Sequence, residues 1–146
     1  MSQTATSTTA PLTHGIVVKA HIIREGHVLL LKRQETDTEY GGHWDIPGGR
    51  LHLGEGATNG LAREVREETT LTFTRAKPLT VWDYRTPDAG LMQGLSFLIK
   101  DAVGDVQLSQ EHTRFEWLGA DALDSLPLAP NLRKEIEWIL GKENLV

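Results

Sequence analysis

The sequence predicts an α/β domain, or a closely related α+β one, in which helices cover a mixed β-sheet. Strand-like segments dominate, one helical pattern interrupts them, and a second closes the chain. A sheet joined to helices in this order buries its faces beneath them. The chain shows no internal repeat and no segment able to form a second core, and its 146 residues suit one domain.

The opening "MSQTATSTTAPLT" is polar and threonine-rich. It lacks the apolar core of a signal peptide and the arginines of a transit peptide, so residues 1–13 are expected to form a flexible tail. The domain is then expected over 14–146. Gly15–Arg33 reads as two strands joined by a tight turn at Glu25-Gly26, because β-branched residues and leucine fill both runs. Gln34–His43 is polar and holds Gly41-Gly42, which marks a loop. Trp44–Gly56 has Pro47-Gly48-Gly49 at its centre, so two short extended pieces flank a turn.

Ala57–Thr69 has helical spacing, with Leu61, Val65, Ala62 and Thr69 as the inward set. Leu71–Thr86 reads as a strand broken at Pro78, and Leu91–Val103 and Arg114–Leu118 as two more. Leu132–Lys142 is an amphipathic helix with Leu132, Ile136, Ile139 and Leu140 inward and Gly141 as its stop.

Net charge is −5 and no basic run occurs, which argues against a nucleic-acid polymer as partner. No apolar run reaches membrane-spanning length, so no membrane partner is expected and the cytoplasm is the expected compartment. The chain has no cysteine, which excludes disulfides and thiolate metal sites. An acidic protein binds an anionic small molecule by using a cation to invert the local charge.

Within the first helix, "REVREETT" (Arg63–Thr70) gathers Glu64, Glu67 and Glu68 on one side. The Glu64–Glu68 pair should cost the helix about 0.2–0.5 kcal/mol. Taken alone, such a cluster is usually solvated surface, with Arg63 and Arg66 supplying local positive charge. The upstream residues change the weighting. Gly49 is followed after five residues by Glu55, and after seven more by Arg63-Glu64-Val65-Arg66-Glu67-Glu68-Thr69-Thr70-Leu71. This pattern resembles the Nudix box at eight of its nine defined positions, with Thr70 where the family usually has glycine. A chance match of that quality is on the order of one in a million. "GHWDIPGG" (Gly42–Gly49) and "QEHTRFEWL" (Gln110–Leu118) are also similar to the family layout.

The resemblance implies a Nudix-type α/β/α sandwich and hydrolysis of a nucleoside diphosphate derivative. It matches Glu67 and Glu68 to principal metal ligands, and Glu64 to a ligand or a water-positioning group. It matches the Gly49 carbonyl to the metal shell and Arg63 to the group that orients the glutamates. Glu111, in the distant "SQEHTRFEWL", is the candidate general base and is also linked to the metal. Glu55 either ligates through water or favours the positive helix end. Hard oxygen donors without cysteine suit Mg²⁺ or Mn²⁺. Arg33 and Arg50 are candidate phosphate contacts. Trp44, Trp82, Tyr84 and Phe97 are candidates for base stacking, weighed against ordinary core packing, which suits Trp117 and Trp138. His21 and His52 either face the cleft or occupy polar strand positions.

The expected substrate is a nucleoside triphosphate, oxidised dGTP-like forms included, as in the MutT-like branch. The alternatives are ADP-ribose or another dinucleotide or nucleotide sugar, toward which Pro87 is a weak marker, and a non-catalytic nucleotide-binding module. A homodimer is an open expectation, since similar proteins often dimerise. Thr70 is β-branched, so it is expected to keep a negative φ while the helix frays into strand.

Overall fold

The structure is a computed structural model that describes residues 13–38, 40–129 and 131–143. The expected tail, apart from Thr13, lies outside them; Thr13 already begins the first strand. Strands β1 (Thr13–Arg24), β2 (His27–Arg33), β3 (Trp44–Asp45) and β4 (Gly48–His52) precede helix α1 (Ala57–Thr69). Strands β5 (Lys77–Thr86), β6 (Gly90–Ile99) and β7 (His112–Leu118), a 3-10 turn at Ala120–Ser125 and helix α2 (Leu132–Glu143) follow.

The sheet has seven strands and is mixed. Long β1 holds it together, pairing β6 in parallel, β4 antiparallel and, at its far end, β2 antiparallel. β5 extends the sheet beyond β6, and β2 also pairs β3 and β7. The β1–β2 turn uses Glu25 at φ 50 and Gly26 at φ 76, the left-handed pair that a two-residue hairpin requires.

Alternation along β1 sorts the two cores. Val18, Ala20 and Ile22 join Leu61 and Val65 of α1, while Ile23 joins Ile136, Ile139 and Leu140 of α2. Helices therefore cover both faces, as the fold class requires. Among the described residues no helix is long and apolar enough to cross a membrane.

Several expectations are corrected. Thr70 is left-handed, at φ 63 and ψ 4, rather than at negative φ. Tertiary contacts hold it there. Its N–H donates to the Arg66 carbonyl at 2.9 Å and its hydroxyl to the Asp105 carbonyl at 2.7 Å. The next residue, Leu71, is fully buried in the first core. A left-handed non-glycine residue costs about 1–2 kcal/mol. Thr70→Asn, which tolerates this conformation and keeps a donor, is expected to stabilise the protein by about 0.5–1 kcal/mol. Urea unfolding checks this; a loss of stability would mean that the threonine hydroxyl outweighs its strain.

Leu71–Ala76 is not continuous strand: only Thr72 bridges, to Val103, and β5 begins at Lys77. Pro78 does not break β5. The register slips between Pro78 and Thr80, so Leu79 is an extra residue on that strand. β6 ends at Ile99 instead of running on to Val103. α2 runs past Gly141, where a mid-helix glycine costs only about 1 kcal/mol. Ala62 is exposed, while Thr69 is buried as expected. Trp138 is 43% exposed with Lys142 against its ring, so it is no core residue.

Candidate active site

The Pro47-Gly48-Gly49 turn brings backbone against α1. A Cβ on Gly48 would stand 2.1 Å from the Val18 carbonyl oxygen, and one on Gly49 would stand 2.5 Å from Glu64 Oε2. Glycine at both positions lets β4 pair with β1 while the Glu64 carboxylate rests against the turn. The Gly48 N–H donates to Glu68 Oε1 at 3.1 Å, across the helix–strand junction.

Arg63 organises the acidic helix face. Its Nε donates to Glu55 Oε2 at 2.6 Å and its second guanidinium nitrogen to Glu55 Oε1 at 2.9 Å. The other terminal nitrogen donates to Glu64 and Glu67, each at 3.0 Å. The Arg50 carbonyl completes the set at 3.2 Å. Glu55 is the main partner of Arg63. Its oxygens take Arg63 and the His52 N–H, the latter at 2.9 Å, and Arg63 foremost holds its carboxyl down at about 2 despite burial.

Glu64, Glu68, Glu111, Arg33, Arg50 and Gly49 all line one cavity of about 350 Å³, joined there by Lys19 and His112. Three members of the expected set are absent from its wall: Arg63, which holds the carboxylates as described, Glu67 and Trp44. The Glu67 side chain is 58% exposed and bonded to Arg63 at the rim. Trp44 is corrected from substrate contact to core: it is 5% exposed and packs in the second cluster, with Arg114 against its ring. Phe97 is likewise core, whereas Trp82 and Tyr84 line an adjoining groove of about 490 Å³. His21 is buried and bonded to Glu135.

Lys19 was not foreseen. Its Nζ donates to Asp45 Oδ2 at 2.9 Å and to the Ile46 carbonyl at 3.3 Å, and it lines both the cavity and the groove. Arg33 leans on the same Asp45 at 3.6 Å and on Asp37 at 3.4 Å. Arg50 pairs with Asp88, an exposed pair of the kind a competing anion displaces at little cost.

Burial pushes the Glu68 carboxyl well above its usual range. Lys19 opposes the shift, Glu64 and Glu111 add to it, and the Gly48 N–H opposes it. Glu64 is raised as well, by burial first, against Arg63 and with Glu67 and Glu111 adding repulsion. Burial holds the His112 imidazole down at about 4, assisted by Arg33 and Lys19. Two desolvated carboxylates and a third on one wall are a donor set that a hard divalent cation satisfies and stabilises. Among the described residues no three acidic or histidine side chains are drawn up to ligand spacing around a single point.

A pH dependence follows. Between about 4.5 and their raised folded values, Glu64 and Glu68 keep protons that the unfolded chain releases, so stability falls as pH rises through that window. Glu55, folded at about 2 against a usual 4.5, acts oppositely: its contribution is present above 4.5 and lost on acidification toward 2. His112, folded at about 4 against a usual 6.5, favours the neutral end, so the carboxylate contribution is read as a difference: the stability of metal-free Glu68→Gln relative to wild type is expected to be larger near about pH 7.5 than near about pH 5, and a divalent cation should raise the wild-type value at neutral pH. Urea midpoints at both pH values, with chelator and with metal, check this. A Glu68→Gln advantage that does not grow toward neutral pH would contradict it.

The NUDIX domain family model matches residues 13–139. A MutT-like protein from Streptomyces ambofaciens is 34% identical over 122 residues, which cover 83% of this chain and 73% of that one. The CTP pyrophosphohydrolase of Escherichia coli K12 is 28% identical over 114 residues, 78% of this chain and 82% of its own. Among solved structures, a MutT NUDIX hydrolase from Burkholderia pseudomallei superposes with a TM-score of 0.75 at 26% identity, covering 84% of this chain and 95% of that one. Members of this family work with divalent metal ions, which the acidic cavity suits. The chain belongs to the Nudix family and is a MutT-like hydrolase of phosphoric anhydride bonds in nucleotide derivatives.

Proposed function

We propose that the protein hydrolyses a nucleoside triphosphate to a nucleoside monophosphate and pyrophosphate, with Mg²⁺ or Mn²⁺ as its cation. One observation carries this reading. The acidic cavity and the groove lined by Trp82 and Tyr84 share a wall: Lys19, Arg33, Arg50 and the Gly48-Gly49 turn border both. A triphosphate fits such a junction, with its charged end among the carboxylates and cations and its base between the rings.

Glu64, Glu67, Glu68 and the Gly49 carbonyl would hold the metal, with Glu111 linked to it. The bound ion neutralises phosphate charge and acidifies the attacking water. Lys19, Arg33 and Arg50 bind phosphate oxygens and keep the anhydride in line. Glu111, on the cavity wall, takes the proton from the attacking water. Arg63 touches no substrate; it fixes Glu64 and Glu67 through the bonds already described.

The test is a panel of nucleoside triphosphates, ADP-ribose and dinucleotides, run in ¹⁸O-labelled water with product identification. Monophosphate and pyrophosphate from at least one triphosphate are expected, CTP being the member that the Escherichia coli relative's name favours. Turnover of ADP-ribose or dinucleotides alone would replace the triphosphate reading. Binding without turnover of any member would make the protein a nucleotide-binding module.

A further inference from the structure

The groove ends at a polar group that the hydrolytic chemistry does not use. Glu135, near the start of α2, lines the groove with Thr80, Trp82 and Tyr84, and its side chain is 19% exposed. Both of its oxygens are fixed from behind. His21, fully buried on β1, contacts Oε1 through Nε2 at 2.5 Å. An ionised carboxylate only accepts, so Nε2 carries the proton. Thr80 donates its hydroxyl to Oε2 at 2.6 Å, and Ser96 lies 2.7 Å behind Thr80. The β5 bulge makes this possible: Leu79 packs in the second core, and Thr80 beside it reaches Glu135 from the same face.

Burial works against the charge on Glu135, but the bonds from His21, Thr80 and Ser96 outweigh it and leave the carboxyl below its ordinary range. The two oxygens of the carboxylate have about four acceptor sites between them, and His21, Thr80 and Ser96 leave at least one to offer. Beside it, Trp82 covers Gly94, where an added Cβ would stand 2.1 Å from the indole. The groove thus sets a rigid, acceptor-only anion beside an aromatic side chain.

We propose that Glu135 is a specificity-determining residue whose fixed carboxylate accepts a hydrogen bond from the exocyclic amino group of a nucleobase. It favours cytosine, adenine or guanine nucleotides over those of uracil or thymine. The inference rests on the groove being the nucleobase site, as in the proposed function. An amino group presents N–H to the carboxylate, as cytosine N4 does to acidic side chains in base recognition. The keto oxygen at the same place on uracil opposes acceptor to acceptor, and a site built for a donor rejects a ligand that lacks one. A clamp that merely tied α2 to the sheet would need no charge and no open face toward the groove.

The test is calorimetric binding of CMP and UMP, which differ at this group and need no turnover. Wild type is expected to prefer CMP by about tenfold or more, and Glu135→Gln, which presents donors as well as an acceptor, to bring the two within about threefold. Circular dichroism and thermal unfolding establish that the variant is folded; if it is not, Glu135→Asp, which withdraws the carboxylate by one methylene, is measured for the same loss of preference. An equal CMP:UMP ratio in wild type, or an unchanged ratio in the folded variant, overturns the inference and leaves the proposed function standing. Failure of both nucleotides to bind overturns the inference, and the proposed function falls with it only where the triphosphate panel shows no turnover either.

Discussion

Glu68→Gln is expected to lower kcat/KM by about a thousandfold or more while leaving the metal-free protein at least as stable as wild type. The activity loss follows from removing a charged metal ligand, which forfeits several kcal/mol of transition-state stabilisation, at about 1.4 kcal/mol per decade of rate. The stability result follows from burial. Glu68 is 4% exposed and its charge is disfavoured by desolvation and by Glu64. A neutral glutamine of the same shape keeps an oxygen to accept the Gly48 N–H and removes that repulsion. Steady-state kinetics with Mg²⁺ and urea unfolding with chelator measure the two halves. Near-normal turnover would remove Glu68 from the metal site, and a large loss of metal-free stability would show that its charge is structural.

Arg63→Met is expected to fail differently, losing stability and activity together. The guanidinium serves Glu55, Glu64, Glu67 and the Arg50 carbonyl at once. Its removal strands partly buried carboxylates, and the Arg63 side chain is only 20% exposed. Breaking a fully buried pair costs about 3–5 kcal/mol; this partly exposed clamp should cost about 2–3 kcal/mol. Turnover should fall by about 10–100-fold, as for groups that orient metal ligands. Arg63→Lys should not rescue either property, because one ammonium cannot span the planar fork that grips both Glu55 oxygens. Wild-type stability and turnover in the lysine variant would show that charge alone suffices.

Helix α1 was legible to its limits, because its apolar spacing and the box residues point to the same element. The first hairpin was legible for a similar reason, since Glu25-Gly26 lies between two apolar runs. Thr70 was not. Its own preference is for negative φ, and what overrides it is the burial of Leu71 and a bond to Asp105, 35 residues away. Trp44 shows a different limit: β3 is two residues long, too short for alternation to reveal which way a side chain points.

Lys19 and His21 had a signal that could have been followed. They stand two apart on β1, opposite the apolar set Val18, Ala20 and Ile22, so the face they share with buried Val17 and Ile23 is polar at its middle and must meet polar partners there. Their partners could not be named from spacing, since Glu135 lies 114 residues beyond His21. Glu111 reached the cavity as the family resemblance implied, carried by the loop that enters β7. No periodicity in that loop marks it, so the resemblance alone supplied it.

The central claim is that the acidic cavity works through a divalent cation on a nucleotide anhydride. Its most direct test is hydrolysis of nucleoside triphosphates by wild-type protein, first with the metal withheld by chelator and then with Mg²⁺ restored. Monophosphate should appear only when the cation is present and stop when it is removed. Release at an unchanged rate in chelator, or no release from any triphosphate with Mg²⁺ present, would contradict the claim.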